Sequence, residues 1–246
     1  MNLESAVEVQ NVIKDFGEIR ALENLNFNVD QGEIYGLIGP NGAGKTTTLR
    51  IVATLLAPTS GLVRVFGLNV VGDNSKVRKL ISYLPEEAGA YKNLSGNEYL
   101  EFMASFYTEK RADTREMVEA AIEISGLEER LRDKVKTYSK GMKRRLLVAR
   151  ALMIKPKLAI LDEPTSGLDV VHAYHVRKII RDYVGEQGVT ALVSSHNMLE
   201  VDFLCDRVAL INRGRIIGEG TPSELKSRYE ASNLEEVFVE ATGLAK

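Results

Sequence analysis

Residues 34–46 read Ile34-Tyr-Gly-Leu-Ile38 and then Gly39-Pro-Asn-Gly-Ala-Gly44-Lys45-Thr46. The first part is a short apolar run, typical of a buried strand. The second part matches the pattern G-x-x-x-x-G-K-[ST] in full, and a helical stretch to about Leu56 follows. Such a loop presents backbone N–H groups to phosphates, while its Lys reaches the phosphates and its Thr hydroxyl ligates Mg²⁺. The pattern therefore predicts a phosphate-binding loop between a strand and a helix.

A second apolar run ends in two acids, Leu158-Ala-Ile-Leu161-Asp162-Glu163. A carboxylate at the C-terminal end of a buried strand lies where α/β sheets bind their ligands. We expect Asp162 to hold Mg²⁺, directly or through water. Glu163 is then placed to orient or deprotonate a water that attacks the terminal phosphate.

Strands and helices alternate along most of the chain, which predicts a mainly parallel sheet covered on both faces. The first thirty residues and Gly61–Val71 indicate further strands, the former in an antiparallel subdomain. Capping boxes at Ser95-Gly-Asn-Glu98 and Thr221-Pro-Ser-Glu224 predict helix starts. We expect one α/β domain: residues 1–89 and 138–220 form the β subdomain and the phosphate-loop core, 90–137 a helical insertion, and 221–246 a helical tail.

The composition excludes several classes of protein. The chain has 246 residues, with 32 Lys+Arg against 34 Asp+Glu, and its only cysteine is Cys205. An even charge balance argues against a strongly basic nucleic-acid binder, and one cysteine cannot form an intramolecular disulfide. Stretches 51–63 and 187–199 are shorter than the about 20 apolar residues of a membrane span, and Met1–Ser5 lacks the features of a secretory signal. We therefore expect a soluble, cytoplasmic chain.

Together these motifs resemble those of the nucleotide-binding subunits of ATP-binding cassette (ABC) transporters, over essentially the whole chain. Ser166-Gly-Leu-Asp169 is similar to the family's D-loop, and His196 to its switch histidine. Tyr138-Ser-Lys-Gly-Met142 occupies the place of the family signature, L-S-G-G-Q. Glu86 occupies the Q-loop position, and Phe16 that of an aromatic residue that stacks on adenine.

The resemblance implies an ATPase with the cofactors ATP and Mg²⁺. It would act as a homodimer or heterodimer, with each ATP between the phosphate loop of one subunit and the signature of the other. The implied catalytic residues are Glu163 and His196, and the implied metal ligands are Thr46, Glu86 and Asp162. The implied nucleotide contacts are Phe16, Gly39, Pro40, Asn41, Gly42, Ala43, Gly44, Lys45, Thr46, Thr47, Ser139, Lys140, Gly141, Met142 and Asp169.

Two parts of the site depart from the family pattern. Lys140 and Met142 stand where the signature has Gly and Gln, and we expect Ser139, as a helix N-cap, and Gly141 to keep a backbone anion site. Glu86 stands where the family has Gln. A carboxylate offers oxygen to a metal but adds a charge and cannot donate a hydrogen bond, which leaves the metal role of Glu86 open.

The resemblance also implies separate transmembrane permease subunits that dock near Glu86–Phe106, and hence a place on the cytoplasmic face of the cell membrane. The signature and Leu234-Glu-Glu-Val-Phe238 are similar to exporter-type members. The alternative is a soluble ABC-type ATPase acting on nucleic acid or ribosomes. The basic run Lys140–Arg145 would suit nucleic acid, but we interpret it as the solvated face of a helix and expect no nucleic-acid partner. We likewise interpret His172 and His175 as solvated surface.

Overall fold

The computed structural model describes residues 5–243, in which the chain forms ten β-strands and nine α-helices. The strands are β1 (Ser5–Phe16), β2 (Ile19–Asp30), β3 (Ile34–Ile38), β4 (Ser60–Val65), β5 (Leu68–Asn69), β6 (Ile81–Leu84), β7 (Leu158–Asp162), β8 (Thr190–Ser195), β9 (Arg207–Asn212) and β10 (Arg215–Gly220). The helices are α1 (Lys45–Val52), α2 (Asn74–Val77), α3 (Gly96–Ala104), α4 (Arg111–Ser125), α5 (Lys140–Leu152), α6 (Val170–Gln187), α7 (Met198–Leu204), α8 (Pro222–Arg228) and α9 (Leu234–Thr242). In this range no helix is both long and apolar enough to cross a bilayer.

The central sheet has six strands in the order β10-β9-β3-β8-β7-β6. Neighbours from β9 to β6 pair in parallel, and only β10 runs antiparallel to β9. All residues of β3 and β7 are buried, because alternate side chains pack on opposite faces of the sheet. One face packs against α1 and the second sheet, and the other packs against α5 and α6. The predicted mainly parallel α/β core is confirmed.

The second sheet is antiparallel, with the order β2-β1-β4-β5. The expected antiparallel N-terminal strands are therefore confirmed, but the single strand predicted over Gly61–Val71 is wrong. Phe66 and Gly67 both have positive φ, 47° and 75°, and reverse the chain so that Val65 pairs with Leu68. Two residues with positive φ form the tight turns that suit a twisted hairpin.

The helix after the phosphate loop is also shorter than predicted. It ends at Val52 rather than near Leu56, since Thr54 adopts a left-handed backbone conformation with φ 62°. Both predicted capping boxes are confirmed, at Ser95 with Glu98 and at Thr221 with Glu224. Between β6 and α5 the chain is largely helical, as expected, with α3, α4 and two short 3₁₀ helices. The predicted tail 221–246 extends beyond the described residues.

The topology brings the motifs to one edge of the central sheet. β8 lies between β3, which leads into the phosphate loop, and β7, which ends in Asp162. Ser194 on β8 lies in register with Leu37 on one side and with Asp162 on the other. Since parallel strands end at the same edge, the phosphate loop and the acids open into one crevice.

Candidate active site

The phosphate loop requires glycine at its two ends. Gly44 stands before the first residue of α1 with φ 109°, and a Cβ there would lie 2.7 Å from Leu22 Cδ2. A Cβ on Gly39 would overlap the backbone carbonyl of Ile211. These neighbours explain why the glycines of the pattern are needed, and they fix the loop against the N-terminal sheet and β9.

Lys45 lies across the loop with its ammonium buried. Its Nζ donates to the carbonyl of Gly39 at 2.7 Å and to that of Pro40 at 3.2 Å, and it lies 3.3 Å from Glu163 Oε1. The cavity beside it has a volume of about 150 Å³ and is lined by eight of the nineteen predicted site residues. Its lining residues are Ala21, Asn41, Gly42, Gly44, Lys45, Thr46, Thr47, Glu86 and Glu163.

Asp162 is buried and accepts hydrogen bonds from three hydroxyl groups. Its Oδ1 accepts from Thr46 Oγ1 at 3.2 Å and from Ser194 Oγ at 2.6 Å, and its Oδ2 accepts from Tyr83 OH at 3.4 Å. Burial, together with the Asp162 charge, raises the pKa of Tyr83, so its hydroxyl keeps the donated proton. The carboxylate and the Thr46 hydroxyl therefore form a pair of adjacent hard oxygen ligands, the type that Mg²⁺ prefers.

Glu163 has a strained backbone and a carboxylate held from two sides. Its φ is 48°, and its N–H donates to Ser194 Oγ at 2.9 Å. Its Oε2 lies 2.8 Å from His196 Nδ1, which fits the tautomer with the proton on Nδ1. Its Oε1 lies in ion contact with Lys45 but makes no hydrogen bond among the described residues. Glu163 and His196 thus form a buried acid and a half-exposed imidazole that act as one pair.

Glu86 and the D-loop contact each other. Ser166 Oγ donates to Glu86 Oε1 at 3.0 Å, while Glu86 also lines the cavity. Asp169 caps α6 by accepting from the His172 N–H at 3.0 Å, and it also contacts His172 Nδ1. The imidazole of His172 rests on Gly141, where a Cβ would overlap it. The expected solvated position is therefore confirmed for His175, which is exposed, whereas the side chain of His172 is partly covered and 33% exposed.

The signature lies at the N-terminus of α5, and the predicted N-cap is confirmed. Ser139 Oγ accepts from the Met142 N–H at 3.1 Å. Met142 packs against the core, and the ammonium of Lys140 lies beside Gly167 of the D-loop. The described residues that line the cavity include neither Ser139–Met142 nor Phe16, whose exposed ring lies 4.9 Å from Lys14 Nζ. Within one chain the signature is thus separate from the phosphate loop.

Sequence reasoning missed Arg144. The run Lys140–Arg145 was interpreted as a solvated face, but Arg144 is 7% exposed and donates to carbonyls on both sides of the site. Burial lowers its pKa to about 10, against the effect of Glu86, Asp162 and Glu163, so it is a cation at neutral pH. Arg145 is also engaged, through the carbonyl of Ser125. Helical periodicity could have found Arg144, because it lies three and four residues from the apolar Leu147 and Val148.

Comparison with known proteins identifies the family. The family model described as ABC transporter matches residues 22–166. The chain is 41% identical to the daunorubicin/doxorubicin resistance ATP-binding protein DrrA of Streptomyces peucetius, over 90% of this chain and 67% of that protein. It is 35% identical to the linearmycin resistance ATP-binding protein LnrL of Bacillus subtilis (strain 168), over 95% of this chain and 75% of that protein.

The fold also matches a solved structure of a cassette dimer. The dimeric ATP-binding cassette MJ0796, in a post-hydrolysis state bound to ADP and Pi, superposes with a TM-score of 0.77 and is 28% identical, over 87% of this chain and 98% of that chain. The comparisons favour a transporter subunit over a soluble ATPase acting on nucleic acid or ribosomes. The chain belongs to the ABC transporter family as an ATP-binding subunit, and the members of this family are ATPases coupled to transport.

Proposed function

We propose that this chain binds and hydrolyses Mg-ATP as a dimer and thereby drives export through separate membrane-spanning subunits. The observation that supports the proposal most directly is that the predicted site lies in two separate parts of the chain. The phosphate loop, Glu86 and Glu163 share one cavity, whereas the signature at the start of α5 lies apart from it. The relatives named for resistance to linearmycin and to daunorubicin/doxorubicin support an exporter.

The separate signature supports a nucleotide site shared by two copies. Ser139 caps α5, which leaves the N-terminal amides of a thirteen-residue helix as an anion site. One chain does not need this second anion site for a triphosphate that its own phosphate loop already cradles. A second subunit, turned so that its signature faces the cavity, would complete each site. The dimeric state of the MJ0796 cassette supports an assembly of two copies. Phe16 is exposed on β1 and free to stack on adenine.

The residues of the cavity have separate roles in the proposed hydrolysis. Loop amides and Lys45 bind the phosphates, and Thr46 with Asp162 would hold Mg²⁺, which neutralises charge on the phosphate oxygens. Glu163 accepts the proton of the attacking water or orients it, because its Oε1 carries no other hydrogen bond in the described structure. His196 fixes the carboxylate through Oε2 and offers the rest of its ring to the terminal phosphate.

The metal role of Glu86 can be tested directly. Its carboxylate bonds Ser166 and lines the cavity, so both a metal role and a D-loop role fit its position. Glu86→Gln keeps the shape and the Ser166 contact but removes the charge. We expect a changed Mg²⁺ dependence of hydrolysis, and an unchanged dependence would remove Glu86 from the metal site.

An aromatic surface on the chain segment that follows Glu86 fits the membrane partner. Exposed rings of Tyr91, Phe102 and Phe106 form a chain of edge contacts, with centroids 5.3 and 5.0 Å apart. Exposed aromatic clusters of this kind mark interaction sites rather than ordinary surface. The cluster lies within the Glu86–Phe106 segment that we propose as the docking site for the permease, on the cytoplasmic face of the membrane.

The central test is the trapping of the dimer. Glu163→Gln should bind Mg-ATP without turnover and shift the chain from monomer to dimer, as measured by light scattering after size exclusion. Glu186→Gln, an exposed acid on α6, is the matched control and should hydrolyse ATP normally. A Glu163→Gln variant that stays monomeric at saturating Mg-ATP would refute the shared site. Co-purification with nucleic acid in place of a membrane protein would favour the alternative function.

A further inference from the structure

Arg144 fills the gap between two loops that leave the sheet side by side. β6 and β7 pair in parallel up to Leu84 and Leu161. Beyond that point residues 85–86 on one side and the strand end and loop 162–164 on the other no longer pair with each other. The side chain of Arg144 enters this gap from α5 and is 7% exposed.

The guanidinium replaces the missing backbone pairing with five contacts. Its Nη1 donates to the carbonyls of Pro85 at 3.3 Å and Glu86 at 3.1 Å. On the other side, Nη2 donates to the carbonyls of Asp162 at 2.9 Å and Glu163 at 2.8 Å, and Nε donates to that of Pro164 at 2.8 Å. Buried carbonyls without a donor cost free energy, so this one side chain stabilises both loops and fixes the distance between them.

The contact with Glu163 matters most because the backbone of this residue is strained. A non-glycine residue with φ of 48° persists only when its surroundings hold it. Three groups do so here. Ser194 accepts from the N–H of Glu163. Arg144 and the N–H of Ser166 both donate to its carbonyl, at 2.8 Å and 3.1 Å. Lys45 and His196 hold the Glu163 carboxylate itself, and Arg144 helps to hold the backbone from which this side chain extends.

We infer that Arg144 is a positioning residue that ties the Glu86 loop to the backbone of Glu163, so that a displacement of the loop is passed to the carboxylate. The inference rests on the proposed role of Glu163 in hydrolysis. It adds a path within one chain by which a movement at the surface proposed for the membrane partner reaches the hydrolytic site. The path uses backbone carbonyls, and it is therefore independent of the side chain at position 86.

Arg144→Lys is the first test, because Lys keeps the charge but cannot form the planar fork that reaches both loops. We expect kcat for ATP to fall about tenfold to a hundredfold, as small misplacements of catalytic groups do, with the Kd for ATP unchanged. Arg145→Gln is the matched control. It removes a neighbouring guanidinium that bonds the carbonyls of Ser125 and Gly126, and it should keep the wild-type kcat.

Hydrogen exchange separates positioning from a general loss of structure. In the Glu163→Gln background, ATP should slow amide exchange in residues 86–94, and the added Arg144→Lys should abolish this effect. Wild-type kcat in Arg144→Lys, an equal loss in Arg145→Gln, or an unaltered response of the loop would each overturn the inference. Arg144→Gln is measured where the Lys variant is unfolded, and if both are unfolded the residue is only structural and the inference fails. Absence of hydrolysis in the wild type would instead refute the proposed function.

Discussion

Ser194 supports both acids of the site through one hydroxyl. It is fully buried on β8, donates to Asp162 Oδ1 at 2.6 Å and accepts from the Glu163 N–H at 2.9 Å. Ser194→Ala removes both hydrogen bonds while leaving the strand and its register in place. We expect this substitution to lower stability and activity together, since Asp162 loses its shortest hydrogen bond and the strained backbone of Glu163 loses one support.

The magnitude follows from the two bonds. A hydrogen bond to a charged group contributes roughly 1.5–3 kcal/mol to stability, and a buried N–H left without an acceptor costs about 1–3 kcal/mol. We therefore expect Ser194→Ala to lower the free energy of unfolding by about 3 kcal/mol or more. Because Asp162 then keeps only its longer hydrogen bonds with Thr46 and Tyr83, we expect the ATPase rate to fall at least about tenfold.

Ser82→Ala is the matched control for this experiment. Ser82 is a buried serine on β6 of the same sheet, but its Oγ makes no hydrogen bond among the described residues. Since a buried hydroxyl without a partner costs about 1–3 kcal/mol, its replacement should leave the free energy of unfolding unchanged or raise it. Urea unfolding and steady-state ATP hydrolysis are measured for both variants. Equal losses of stability in the two variants would refute the two-bond reasoning, whatever happened to the rate.

Three other positions have expected outcomes that can be measured simply. His196→Ala removes the imidazole that bonds Glu163, so hydrolysis should be lost while ATP binding by equilibrium titration is retained; normal turnover would refute this role. Gly39→Ala places a Cβ on the backbone carbonyl of Ile211, so it should lower both the free energy of unfolding and nucleotide affinity. A variant as stable as the wild type would contradict that contact. Cys205 is buried and its burial raises its thiol pKa, so a thiol reagent should label it only after urea unfolding; rapid labelling of the native protein would be inconsistent with this.

The features that could be predicted from sequence are those encoded by local patterns. The phosphate loop and the run ending in Asp162 are contiguous, and the order of strands and helices follows from periodicity. The turn at Phe66 was missed because a positive φ at an aromatic residue is not a local preference. It follows from the pairing of β4 with β5 and from the glycine that comes next.

The supports of the site could not be predicted in the same way. Ser194 and Asp162 are 32 positions apart, and Arg144 meets the Glu86 carbonyl across 58 positions. These contacts depend on β8 lying between β3 and β7, and on α5 crossing the ends of β6 and β7. A basic residue within a basic run does not indicate burial. Only the spacing of Arg144 from the apolar residues on the same face of α5 would have indicated that its side chain is buried.

The departures from the family signature are accommodated inside the chain. Lys140 reaches beside Gly167 in the D-loop, and His172, just beyond the D-loop, covers Gly141 in the signature. The signature and the D-loop region thus each cover a glycine of the other with a side chain. Met142 packs against the core. Because the Ser139 cap and Gly141 do not need the usual side chains at 140 and 142, the anion site that we propose at the start of α5 does not depend on them. A change at Gly141 would therefore displace His172 and with it the Asp169 contact, so that the signature and the D-loop respond together.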